Sequence, residues 1–165
     1  MYRNENAFDD VIAQWSNRYS VPVWVIKATI GKESAFDPTA YNPTDPGSGS
    51  RGLMQIAEAT ARDLGLRGAI GDDTTRTGGL YEPGINVQLG TKYLSQLADR
   101  YPGESWDRIY SAYNVGHLEE LDNGLLVDQD NVDAWGRVAD YFNPGWRSST
   151  GATDAGGNPT TPRGK

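Results

Sequence analysis

Apolar residues recur at three- and four-residue intervals in several separated stretches of this chain, and that period predicts helices. Over residues 5–19, Phe8, Val11, Ile12, Trp15 and Tyr19 share one face. Pro22 suits the first turn of a second helix over 22–34, where Val23, Ile26, Ile30 and Glu33 fall on one stripe. A helix at about 57–65 ends near Gly65. Residues 85–101 restore the pattern through Leu89, Tyr93, Leu94, Leu97 and Tyr101, until Pro102 and Gly103 stop it. Ser105 and Asp107 suit the start of a helix over 106–115. A last one, about 131–142, carries Val132, Trp135, Val138, Ala139 and Phe142. Two stretches break the period. Residues 38–52, PTAYNPTDPGSGSRG, are rich in turn formers and read as loop. Residues 66–84 read as a long loop holding at most a small hairpin, and long internal loops are often functional.

The pattern therefore predicts a mainly α, single-domain protein over residues 1–146. The segment 147–165, RSSTGATDAGGNPTTPRGK, has almost no apolar side chains to offset the entropy of ordering, and reads as a linker or flexible arm that could tether the domain to a larger assembly. The length of 165 residues and the 37% hydrophobic content fit one such core. No cysteine is present, which excludes disulfides and cysteine metal sites, and one histidine, His117, makes a His-rich metal site or a Ser-His-Asp triad improbable. No metal or cofactor is expected. The net charge of −7 argues against nucleic acid and anionic membranes as partners, and no stretch is apolar enough to insert in a bilayer. The N-terminal MYRNENAFDD lacks a secretory layout, so the expectation is either a route other than that export or a chain that starts after its signal.

The residue that asks for chemistry is Glu33. A carboxylate closing an apolar stripe costs free energy unless it has a partner or a task. Partial burial and the negative end of a helix both favour the neutral carboxyl, the form that general-acid cleavage of a glycosidic bond requires. A glutamate in a last helical turn is by itself more often simply solvated, and the neighbouring motifs are what change the reading. GKESAFDP (31–38) leads through the Pro/Gly loop into RGLMQI (51–56), then LYEPGINVQLGTKYL (80–94), then SAYNVG (111–116).

Together these resemble the lytic transglycosylase domain of the lysozyme-like superfamily, over about residues 18–142. Each motif is short; four in order are specific. The resemblance implies an α+β lysozyme-like fold and cleavage of the MurNAc–GlcNAc bond of peptidoglycan strands, with Glu33 as acid and then base. It implies that Ser34 follows the acid, that Gln55 hydrogen-bonds the sugar, and that Met54 packs beside the cleft. It also implies that Tyr113 places its hydroxyl near Glu33 and that Asn114 braces the site. The family's loop serine has no unique counterpart; Asn42, Ser48 or Ser50 could play that part. The family's glutamate before the last helix has Asp130 as its nearest candidate. Asp45 is the candidate second carboxylate for a lysozyme-type hydrolase, against a turn-forming role in Asp-Pro-Gly. A non-catalytic glycan-binding or virion module is the third reading. The expected setting is the periplasm or cell wall, reached by a phage-delivered endolysin or virion enzyme, or by an exported bacterial enzyme.

Overall fold

The computed structural model describes residues 2–44 and 47–147. Its helices are α1 (Asp9–Tyr19), α2 (Val23–Ser34), α3 (Glu58–Asp63), α4 (Pro83–Arg100), α5 (Trp106–Val115) and α6 (Gln129–Phe142). Asp9 and Asp10 begin α1, where the helix dipole favours acids, and residues ahead of them wind as turns rather than as helix from residue 5. Pro83 stands at the start of α4, two residues earlier than the apolar period alone suggests.

α2 is the central helix. Its apolar residues are not one stripe: Trp24, Val25, Ile26, Ala28, Thr29, Ile30 and Gly31 are all buried, so it is wrapped on nearly every side. α6 covers it, with the Trp135 indole N–H donating to Thr29 Oγ1 at 3.1 Å and Val138 lying close against Gly31. Trp146 closes this face by packing on Trp24 and Trp135 at 5.8 and 5.3 Å between ring centroids. Arg147, which the pattern assigns to the tail, is held against α6 through Asp140. Residues 148–165, including the tethering role expected of them, lie outside the described residues.

A small antiparallel sheet occupies the stretch that reads as loop. β1 (Tyr41–Asn42), β2 (Ser50–Arg51) and β3 (Ile56–Ala57) pair in that order, with Tyr41 opposite Arg51 and Ser50 opposite Ala57. Two-residue strands carry no alternation for a sequence to display. The 66–84 stretch is the long loop expected, and it holds a tight turn closed by an antiparallel Asp72–Thr77 bridge and a short 3-10 turn at Gly79–Tyr81. A buried guanidinium pins this loop to the sheet: Arg51 Nε and Nη2 donate to both oxygens of Asp73 at 2.6 and 2.8 Å, and its other hydrogens go to the carbonyls of Gly49 and Ser48.

The turn between β2 and β3 is fixed from below by Asn86 of α4, which is fully buried. Its Oδ1 accepts the Met54 N–H at 2.7 Å, and its Nδ2 donates to the carbonyls of Arg51 and Leu80, both at 2.8 Å. Gly52 lies at φ 78°, and a Cβ there would run into Asn86 and Leu80. Gly90, one turn further along α4, leaves the space that the Met54 side chain fills.

Two outcomes follow. Asn86→Ala strands one N–H and two carbonyls in the interior and costs about 3 kcal/mol of stability; a urea midpoint equal to wild type contradicts the clamp. The Arg51 guanidinium holds the Asp73 carboxyl at about 2, against an ordinary 3.8. A depressed folded value means the pair's contribution is present above 3.8 and is lost as pH falls toward 2. Asp73→Asn should therefore lower stability at neutral pH by a small amount, since the carboxylate is partly exposed, and by nothing near pH 2. A penalty that persists at acid pH contradicts the assignment.

Candidate active site

Glu33 is the penultimate residue of α2 and is half-buried. The helix ends abruptly: Ala35 and Phe36 both adopt left-handed backbone, φ 51° and 65°, a conformation that costs non-glycine residues of order 1 kcal/mol each. Phe36 offsets this by burying its ring completely against Tyr2 and Phe142, at 5.3 and 5.8 Å. The sharp turn takes the chain away and leaves Glu33 at the end of a rigid, enclosed helix.

The carboxylate is gripped by a phenol. Tyr110 of α5 donates its hydroxyl to Glu33 Oε1 at 2.6 Å. Its ring is fully buried and stacked on Trp135 at 5.5 Å, 14° from parallel, so the hydroxyl has little freedom to wander. Burial first, and then the Glu33 charge, push the Tyr110 pKa far above the ordinary phenol range. Tyr110 is thus a fixed donor, not a proton source. Tyr113, one turn on, is also pushed up by burial and then by Glu33. Its hydroxyl, though, donates to the Met54 carbonyl at 2.7 Å. The hydroxyl that donates to Glu33 is that of Tyr110, while Tyr113 stands near enough for the Glu33 charge to act on it. The two tyrosines are three residues apart on one helical face, and only the rotation of α5 decides which reaches the carboxyl.

The other expected site residues converge on the Gly52–Gln55 turn, mostly as braces. Ser34 donates to the Leu53 carbonyl at 2.8 Å and back to Ile30 at 3.2 Å. Met54 is completely buried over Gly90 and presents no surface to a ligand, so it bears on the site through packing. Gln55 has left-handed backbone, φ 49°. Its Nε2 donates to the Gly52 and Ala40 carbonyls at 2.9 and 3.2 Å, and its Oε1 accepts from Ser50 Oγ at 2.9 Å. Both amide hydrogens are spent inside the loop, and a lone pair on Oε1 remains. Asn42 accepts from the Thr44 N–H and hydroxyl in a local turn. Ser48 turns to Glu58. Asp45 lies outside the described residues.

Asn114 donates its amide to Asp128 Oδ2 at 2.8 Å, and the buried Ser111 donates to Asp128 Oδ1 at 2.5 Å. The acidic partner at the start of the last helix is therefore Asp128 rather than Asp130, because α6 begins at Gln129, two residues before its apolar period does. His117 is exposed, 2.8 Å from Glu119. Among the described residues no group of three or more His, Cys, Asp or Glu side chains is arranged to hold a metal. Chemically, the arrangement offers a carboxyl that can give and take a proton, oriented by a neutral phenol at the edge of a stiff turn.

Comparison with known proteins bears on this site directly. Residues 10–131 match the model of the Transglycosylase SLT domain. A membrane-bound lytic murein transglycosylase C from Glaesserella parasuis is 32% identical over 133 residues, 74% of this chain and 35% of that protein. A membrane-bound lytic murein transglycosylase F from Klebsiella pneumoniae is 32% identical over 123 residues, 70% of this chain and 21% of that protein. The chain thus spans between about a fifth and a third of the length of these relatives. The 70 kDa soluble lytic transglycosylase of Escherichia coli superposes with a TM-score of 0.54 at 22% identity, over 82% of this chain and 19% of that one, which supports the mainly α, lysozyme-like fold. The match runs through Glu33, the Gly52–Gln55 turn, the Asn86 helix and α5, and it places this chain in the transglycosylase SLT family.

Proposed function

We propose that this domain is a peptidoglycan lytic transglycosylase, cleaving the β-1,4 bond between MurNAc and GlcNAc and leaving 1,6-anhydroMurNAc ends. The observation that carries the reading is Glu33, presented by a buried helix and held by the Tyr110 hydroxyl at 2.6 Å. The relatives' names supply the reaction class.

Glu33, protonated, gives its proton to the bridging oxygen as the glycosidic bond breaks. The sugar passes through an oxocarbenium-like state, which the substrate's own N-acetyl oxygen stabilises. The ionised Glu33 then takes the proton of the sugar's 6-hydroxyl, and that oxygen closes on the anomeric carbon. No water enters. Tyr110 donates to the carboxylate formed between the two proton transfers, when its hydrogen bond is strongest. Asn42, Asn114 and Gln55 are the polar side chains offered to the sugar, with Ser34 and Ser50 holding the turn. The substrate and its place, glycan strands of the periplasmic wall, follow from the same reading. No helix among the described residues is long and apolar enough to cross a membrane.

Mass spectrometry of the fragments released from purified peptidoglycan tests this. Wild type should yield products about 18 mass units lighter than hydrolytic ones, the mass of one water. Glu33→Gln should release none while keeping its thermal midpoint. Reducing-end products would instead indicate a hydrolase and turn attention to Asp45.

Tyr110→Phe should slow turnover by about 10- to 100-fold. A hydrogen bond to the anion favours the anion, so its loss favours the protonated acid. The pH above which activity falls should therefore move upward. A downward move, or an unchanged pH profile at full turnover, contradicts the role given to Tyr110.

A further inference from the structure

Asp128 stands outside the steps above, yet it closes a ring of contacts around them. α5 carries Tyr110, Ser111 and Asn114 within little more than one turn, with Tyr110 and Asn114 four apart and so neighbours on one face. The helix stops at Gly116, φ 100°, and the chain leaves in an excursion closed by a Glu120–Leu126 bridge. It returns at Asp128, immediately before α6. There one half-buried carboxylate takes a hydrogen bond on each oxygen, from Ser111 and from Asn114, and so staples the last turns of α5 to the start of α6. α6 in turn is fixed to α2 by Trp135 on Thr29, one turn from Glu33, and by the close approach at Gly31. α2 carries Glu33, and Glu33 meets Tyr110. The path from Glu33 through α2, α6, Asp128 and α5 comes back to the bond it started from.

A helix held at one end by a stack of aromatic rings can still rotate or slide by a fraction of an ångström. The Tyr110 ring rests on Trp135, a contact that tolerates such sliding. The paired hydrogen bonds on Asp128 do not, because two donors on two oxygens fix both rotation and height. We infer that Asp128 is a positioning residue for the glycosidic cleavage proposed above: through Ser111 and Asn114 it sets the rotation of α5 that brings the Tyr110 hydroxyl, rather than that of Tyr113, onto Glu33. It touches neither substrate nor Glu33. Its negative charge also helps to keep the Tyr110 proton on the phenol oxygen.

The test is a double-mutant cycle of Asp128→Ala and Tyr110→Phe, assayed for turnover of purified peptidoglycan. Asp128→Ala should lower kcat by about 10- to 100-fold, the scale expected for a small misplacement, with KM within about twofold of wild type. In the Tyr110→Phe background the same substitution should cost almost nothing, because the bond it protects is already gone. Ser111→Ala removes one of the two donors at no cost in charge, and should give a smaller loss of the same kind. Asp130→Ala, two residues away and exposed, should behave as wild type. Independent, multiplicative losses, or a KM-only effect, overturn the inference, as does wild-type kcat in Asp128→Ala. Should the unmodified protein release nothing from peptidoglycan, the proposed function fails by itself. The positioning inference is then decided by urea unfolding of the same four proteins, where coupled stabilities support it and additive ones overturn it.

Discussion

Everything at this site depends on two residues of backbone. Leu53 and Met54 sit in the turn between two short strands, and their polar groups are claimed by side chains from three helices. Ser34 of α2 takes the Leu53 carbonyl, Asn86 of α4 holds the Met54 N–H, and Tyr113 of α5 donates to the Met54 carbonyl. A turn in the interior must have its backbone groups satisfied. Here the satisfaction is done by the same helices that carry the candidate chemistry. Tilting any of the three would leave a buried group unpaired, so the sheet and the helices cannot shift independently. The glycines at 52 and 90 are what let the turn come close enough to be held.

This arrangement explains why so few of the polar residues in the motifs face outward. Ser34, Gln55 and Tyr113 carry side chains suited to a sugar-binding cleft, yet each makes its hydrogen bond inside the protein, while Asn114, bonded to Asp128, stays exposed. Their task is to hold Glu33 and the turn in one geometry. That suits a mechanism in which one carboxyl serves twice, first as acid and then as base. A single group can do both only if its position does not relax between the steps.

Much of the fold was legible in the sequence, for a physical reason. Helical burial repeats every three or four residues, so each of the longer helices announces itself by its apolar positions. Two-residue strands have no such repeat, which is why the sheet around Ser50 reads as loop. The glutamate was legible from its place at the end of α2 and from the motifs around it. Its partner was not: Tyr110 and Tyr113 occupy one face, and the choice depends on a helix rotation that only tertiary contacts set. Asp128 was missed in favour of Asp130 for a related reason. The polar first residues of α6 carry no apolar signal, so the start of the helix was read two residues late. Asn86 was visible as part of a motif, but its burial was not, since a lone amide on a helix gives no sign of whether it meets water or backbone.

The central claim is that the Glu33 carboxyl is held by one specific phenol. Selective carbon-13 labelling of glutamate side chains allows the Glu33 carboxyl to be titrated by NMR, assigned by comparison with Glu33→Gln. The account predicts a titration midpoint that moves upward in Tyr110→Phe and stays close to wild type in Tyr93→Phe, whose ring packs on Tyr113 rather than on the carboxyl. A Glu33 midpoint indifferent to the loss of the Tyr110 hydroxyl would contradict it.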